Sequence, residues 1–300
     1  MPSLINSRMN SNIFKLSCLG LFLSLLSSCG SKEDTNTSLE NSEPTLFTLL
    51  PSEETGISFV NKVQNSKEFN IFKYRNFYNG GGVAIGDINN DGLSDVFLTG
   101  NMEPNKLFLN KGDFKFDDIS ESAGIAGNKP WSTGVVMADI NNDGFLDIYV
   151  SNAGNMEGNN HDNDLYINNG DGTFTEKAHE YNLAETGFST HASFFDYDKD
   201  GDLDAYILNN SNIPVSSLGY AEQRDVRAQD WEGVPKIFRG VGDMLLRNDN
   251  GKFVDVSEKA GIYGSLIGFG LGVMVIDINN DLYPDIYVSN DFYERDYLYI

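Results

Sequence analysis

Short apolar runs rich in Val, Ile, Phe and Tyr recur along the chain, each cut by a polar turn before it could extend into a helix. "GGVAIG", "GVVMA", "HASFF" and "GVMVI" form one set, and "VFLTG", "IYVSN", "AYILNN" and a second "IYVSN" form another. A third set ends in an Asn, Gly or Asp turn: "NKLFLNKGDFKFDDIS", "NDLYINNGDGTFTEKA" and "GDMLLRNDNGKFVDVS". Apolar runs flanking such turns predict β-hairpins. A closing stretch, "SAGIAG" or "KAGIYG", then leads into the next unit. Each unit reads strand, loop, strand, loop, strand, hairpin, strand.

An acidic nonamer separates the first strand of each unit from the second. "DINNDGLSD", "DINNDGFLD", "DYDKDGDLD" and "DINNDLYPD" start at residues 87, 139, 196 and 277. Repeats of roughly 20–50 residues signal solenoids or propellers, and four antiparallel strands per repeat make a propeller blade. The last interval is lengthened by an insertion over residues 211–240. The expected fold is all-β, a β-propeller of four-stranded antiparallel blades. "LFTLLPSEETGISF" (Leu46–Phe59) resembles the last strand and closing element of a unit, so it reads as an orphan fourth strand. The final unit stops at Ile300, short of its hairpin. Three full blades, partial ones and an orphan strand predict an incomplete ring of about seven blades in a longer natural protein. A four-bladed ring is the alternative.

The nonamers carry oxygen at alternate positions, the pattern that suits Ca²⁺, which takes about 6–8 oxygen ligands. Positions 1, 3, 5 and 9 offer side chains and position 7 a backbone carbonyl. The candidate ligands are Asp87, Asn89, Asp91, Leu93 and Asp95 in the first loop, and Asp139, Asn141, Asp143, Phe145 and Asp147 in the second. The third offers Asp196, Asp198, Asp200, Asp202 and Asp204, and the fourth Asp277, Asn279, Asp281, Tyr283 and Asp285. An EF-hand would need Glu at position 12 and flanking helices. Leu98, Val150, Ile207 and Val288 stand there, inside β-type runs, which excludes it. The competing reading is a turn without metal, but unit charges ~4 Å apart repel by ~1 kcal/mol even in water. The fourth loop has Leu282 where the others have Gly92, Gly144 and Gly201. It is expected to bind more weakly or to fold slightly differently.

Charge narrows the partners. The formal net charge of −23 speaks against a polyanion such as nucleic acid. The cysteines are Cys18 and Cys29, so no disulfide can form beyond position 29. Arg8 and Lys15 precede "LSCLGLFLSLLSS", a positive n-region and an h-region too short to span a bilayer. The run ends in Leu26-Ser27-Ser28-Cys29, which resembles a bacterial lipobox. Residues 1–29 are thus expected to be a lipoprotein signal peptide, with Cys29 lipidated. An ordinary signal peptide with an incidental cysteine would show the same apolar run. Residues 30–45 read as a polar, disordered tether, and residues 46–300 as the repeats. Lys32-Glu33-Asp34 after the lipid site looks like an acidic surface-export signal, so the expected location is the outer membrane, facing outward at the cell surface.

Strand alternation puts the acidic loops and the hairpins on one rim, and the loops from second to third strand on the other. Length varies on that other rim, and most at 211–240, where Tyr220, Arg224, Arg227, Trp231 and Arg239 give an aromatic–cationic mixture suited to a partner. A surface excursion that only covers a blade edge would explain the insertion equally. His191 falls on an inner strand, either lining a channel or packed; His161 falls in a loop and His179 in a closing segment. No HExxH, G-x-S-x-G or phosphate loop is present, so no catalysis is expected from this segment.

"DINNDG" followed by a short strand, together with "LYINNGDGTFTE", resembles the FG-GAP/VCBS repeats of integrin-α-like propellers. "FYNGGGVAIGDINNDGLSDVFLTGN", "WSTGVVMADINNDGFLDIYVSN" and "FFDYDKDGDLDAYILNN" are similar to the N-terminal part of bacterial proteins that add a C-terminal ASPIC/UnbV domain. The resemblance covers about residues 46–300. It implies a calcium-bound propeller used for extracellular binding or adhesion to an unidentified protein or glycan. The alternative is an accessory or scaffold region of a polysaccharide-active enzyme or uptake system whose active part lies beyond residue 300.

Overall fold

The strands form in the order that the repeats dictate. The computed structural model describes residues 45–127, 129–154, 160–211, 242–265, 267–291 and 294–300. Blade 1 is β1 (Val83–Gly86), β2 (Asp95–Leu98), β3 (Lys106–Asn110) and β4 (Phe116–Asp118). Blade 2 is β5 (Ser132–Ala138), β6 (Asp147–Asn152), β7 (Asp164–Asn168) and β8 (Phe174–Glu176). Blade 3 is β9 (Ser189–Phe195), β10 (Asp204–Asn209), β11 (Met244–Asn248) and β12 (Phe253–Asp255). The partial blade is β13 (Gly270–Ile276), β14 (Asp285–Asn290) and β15 (Tyr297–Tyr299). Each sheet is an antiparallel meander in chain order.

Residues 50–300 make one compact unit, and residues 45–49 of the other unit are exposed. Within the compact unit, blades stack face to face through three successive cores. Phe97 and Leu107 of blade 1 meet Ile148, Val150 and Tyr166 of blade 2. Tyr149 and Leu165 of blade 2 meet Ala205, Ile207 and Leu246 of blade 3. Tyr206, Leu208 and Leu245 of blade 3 meet Ile286 and Val288 of the partial blade. The second strands β6 and β10 are buried along their whole length because a neighbouring blade covers each face. That explains their unbroken apolar runs, where a half-exposed strand would alternate. The outer strands β8 and β12 bury only their first residue.

A fourth core is aromatic. Tyr74 and Phe77 pack with Trp131, Ala153 and Phe188, and the Phe77 and Trp131 rings lie 5.1 Å apart. This cluster fastens the segment before β1 to blades 2 and 3.

The closing elements are single helical turns: α1 (Ser52–Thr55), α2 (Ala178–Tyr181) and α3 (Ser257–Ala260). All three end on a left-handed residue: Gly56, Asn182 and Gly261. The orphan strand expected within Leu46–Phe59 is corrected here. The segment holds α1, and no strand is assigned to it among the described residues. Leu46, Phe47 and Leu49 are almost fully exposed. A strand needs a neighbour to pair its N–H and C=O groups, and none pairs with this stretch among the described residues.

Candidate metal centres

The acidic loops join β1 to β2, β5 to β6, β9 to β10 and β13 to β14, so all four lie at the same ends of their blades. In the first loop, Asp87 Oδ1 accepts the Asp91 N–H at 3.1 Å and its Oδ2 accepts the Gly92 N–H at 2.7 Å. Asn89 Oδ1 also accepts the Asp91 N–H, and its amide donates to Asp91 Oδ2 at 3.0 Å. Asp91 Oδ1 accepts the N–H of Leu93 at 2.8 Å. The second loop repeats every one of these bonds through Asp139, Asn141, Asp143 and Phe145. The fourth repeats them through Asp277, Asn279, Asp281 and Tyr283. The chain is thus wound tightly around its own carboxylates, with hard oxygen donors crowded in one turn.

Position 9 stands apart from the other three side-chain positions. Asp95, Asp147 and Asp204 are fully buried and Asp285 nearly so, whereas Asp91, Asp143, Asp200 and Asp281 are exposed. Asp95 accepts the Ile88 N–H on Oδ2 at 3.0 Å and the Asn110 N–H on Oδ1 at 2.7 Å. Asp147 takes those of Ile140 and Asn168, and Asp204 those of Tyr197 and Asn248. Asp285 accepts the Ile278 N–H at 2.7 Å. Each of the first three clamps its acidic loop to the end of the third strand. Burial pushes Asp147 and Asp204 up to about 6, against the pull of their backbone N–H bonds and with the push of neighbouring loop carboxylates. Asp95 is raised for the same reasons.

The third loop is the most carboxylate-rich. One carboxylate oxygen each from Asp196, Asp198 and Asp204 lies within 4.8 Å of the others. Asp198 replaces the asparagine of the other loops, and so brings a second charge where they bring an amide. Asp202, at the position offered for its carbonyl, donates its N–H to Asp200 Oδ1 at 3.1 Å. Its own carboxyl is raised, chiefly by burial and then by Asp200. This donor set suits a hard cation with all-oxygen ligation.

The fourth loop keeps the fold of the others despite Leu282. That residue takes φ 73°, beside 86°, 93° and 98° at Gly92, Gly144 and Gly201. Its N–H reaches Asp277 Oδ2 at 2.9 Å, as the glycine N–H groups reach theirs. Of the two expectations for this loop, a different backbone is not what forms.

Sequence reasoning missed that neighbouring loops touch. Asn168 of the blade 2 hairpin donates to the Ile88 carbonyl of the first loop at 2.8 Å. Lys199 of the third loop sits 3.6 Å from the centroid of the Tyr283 ring in the fourth. Asn90, Asn142, Lys199 and Asn280 all have positive φ, a requirement at position 4 that the three asparagines could have signalled.

On the opposite rim, loops between second and third strands are closed by an acceptor side chain. Asn105, Asn163, Asp243 and Asp296 accept the N–H of Gly100, Asn152, Asn209 and Asn290. His191 is half-buried on β9, and burial lowers its pKa. His161 donates from Nε2 to the Thr186 carbonyl at 2.8 Å and stacks on Phe188. The exposed His179 lies 3.5 Å from Asp162. Tyr220, Arg224, Arg227, Trp231 and Arg239, like Cys29, lie outside the described residues.

The FG-GAP-like repeat matches residues 73–150 and 153–207, so the chain carries FG-GAP-like repeats from blade 1 into blade 3. Cartilage acidic protein 1 of Xenopus tropicalis is 45% identical over 78 residues, which cover 26% of this chain and 12% of that protein. Its Homo sapiens counterpart is 42% identical over 76 residues, 25% of this chain and 12% of that one. The chain therefore spans only 12% of the length of these curated relatives. A solved Agrocybe aegerita lectin, whose study concerns recognition of non-reducing terminal N-acetylglucosamine, aligns at TM-score 0.34 and 17% identity. That alignment covers 68% of this chain and 45% of the lectin, and at such a score it carries no argument.

Proposed function

We propose that this chain is a calcium-stabilised binding module, anchored to the outer membrane through a lipid on Cys29 and displayed at the cell surface. Binding, not catalysis, is its task. The observation that carries this reading is the threefold carboxylate cluster of Asp196, Asp198 and Asp204, set in a loop whose winding recurs in every blade. A cation there would be held by Asp side chains and a backbone carbonyl, and would offset the mutual repulsion of the loop carboxylates.

Calcium in this arrangement stiffens one rim, and the partner, an extracellular protein or glycan, meets the other. FG-GAP-like repeats as binding scaffolds support this division, as does the variation in loop length on the far rim. The test is thermal melting of the purified chain in calcium and in EDTA. A ligand that binds only the native state at 100 times its Kd adds about 2.7 kcal/mol per site, so calcium should raise the Tm by several degrees. An identical Tm in EDTA would refute the calcium reading. Anchoring is tested separately by lipid labelling of the wild-type chain and Cys29→Ser, with label expected only on the former.

A further inference from the structure

A cavity of about 620 Å³ opens on the axis where the inner strands begin, remote from the acidic loops. Strand backbone makes one wall, at Gly82, at Gly134 and Thr190 beside it, and at Gly270. A Cβ on Gly134 would fall 2.4 Å from the Thr190 carbonyl oxygen and 2.7 Å from His191 Nδ1, so this wall must stay bare. The segment before β1 makes the other wall, with Arg75, Asn76 and Asn79. The aromatic core around Trp131 and Phe77 holds that segment in place.

Tyr74 belongs to the wall, with its hydroxyl buried beneath the cavity surface. Arg75 is exposed and makes no ion pair among the described residues, in a chain of net charge −23. His191 is held toward its neutral form by burial, and Asp291 is the carboxylate at the mouth.

We propose that this axial cavity binds a uronic acid, a sugar that carries one carboxylate among its hydroxyls. The proposal rests on the binding-module reading and gives it a ligand class. A single guanidinium matches a single planar carboxylate through two parallel N–H bonds. A phosphate group would call for more cationic or backbone N–H donors than one arginine supplies. The amides of Asn76 and Asn79 and the His191 ring together offer donors and acceptors to several hydroxyls. Leu271 is the aliphatic side chain of this lining. The volume lies in the range of small-molecule sites, ~300–1,000 Å³.

The test is calorimetry of the calcium-loaded chain with galacturonate, glucuronate, galactose and acetate as separate probes. At least one uronate should bind saturably, and galactose and acetate at least tenfold more weakly. Arg75→Gln should weaken the uronate at least tenfold with the Tm unchanged, since the side chain is exposed. Failure of both uronates to bind, equal binding of galactose, or an unaffected Arg75→Gln variant would overturn the proposal. Any of these results in a chain that calcium still stabilises sinks the cavity ligand alone. Loss of both the uronate isotherm and the calcium effect sinks the underlying reading as well.

Discussion

The side-chain amide of Asn90 donates to the backbone carbonyl of Gly144 at 3.0 Å, tying the first acidic loop to the second. Asn90 itself has φ 59°, a conformation that asparagine and glycine tolerate best. Asn90→Gly keeps that conformation available and removes the amide. It should cost about 1 kcal/mol, the net worth of an ordinary hydrogen bond. Asn90→Ala should cost roughly 1 kcal/mol more, from the left-handed backbone. Urea unfolding of the two variants checks the order, and equal stabilities would show that the conformation carries no penalty.

Asp204→Asn tests the clamp at position 9. The carboxylate accepts backbone N–H groups on both oxygens, from Tyr197 at 3.0 Å and Asn248 at 2.9 Å. An amide can accept only one of them and turns a donor toward the other. Leaving a buried N–H unpaired costs about 1–3 kcal/mol, and this loss should appear in EDTA, before any metal is considered. A variant as stable as wild type in EDTA would assign Asp204 to the cation alone.

Replacing Leu282 with glycine should stabilise the chain. Leucine at φ 73° bears a left-handed penalty of ~1–2 kcal/mol, while glycine adds back part of that as unfolded-state entropy. A net gain of about 0.5–1 kcal/mol is expected from denaturant midpoints at unchanged m-value. The side chain is 77% exposed, so little packing is lost. Destabilisation on substitution would mean that Leu282 makes a contact worth more than its strain.

Stability without calcium should fall as pH rises from about 4 to about 7. Asp243 is raised to about 7, first by burial and then by Glu294, against the bonds it accepts from the Asn209 N–H and the Tyr206 hydroxyl. Its folded pKa lies above the unfolded value, so the native state binds the extra proton through that window and ionisation disfavours folding. Asp164, raised to about 6 by burial, slopes the same way. Asp243→Asn should flatten the upper part of the profile. Melting between pH 5 and pH 7.5 in EDTA reads the slope, and a wild-type stability that climbs across the window would contradict it.

The blades and their acidic loops were legible in the sequence because both are set by short-range rules. Strand runs and turn residues lie within one unit, and the bonds from Asp87 to Asp91 and Gly92 span four and five residues. Position 9 showed its residue type but not its burial. That depends on the third strand, whose Asn110 brings a second N–H to Asp95 from 15 residues away. The expected strand at Leu46–Phe59 failed for the same reason in reverse, since its pattern was strand-like and its partner was never encoded locally.

What only the tertiary structure decided are the pairings between blades. The bond between Asn168 and Ile88 spans 80 residues, and no periodicity within a unit announces it. The aromatic packing of Phe77 on Trp131 and the cavity where Arg75, Tyr74 and His191 converge are equally non-local. The sequence by itself determined what each blade is and where its carboxylates cluster, because hydrogen-bonded turns and strand alternation act over a few residues. The angle and spacing at which one blade meets the next come from side chains interlocking across the three interblade cores. That packing gathers groups from the starts of four inner strands, and the segment before them, around one axis.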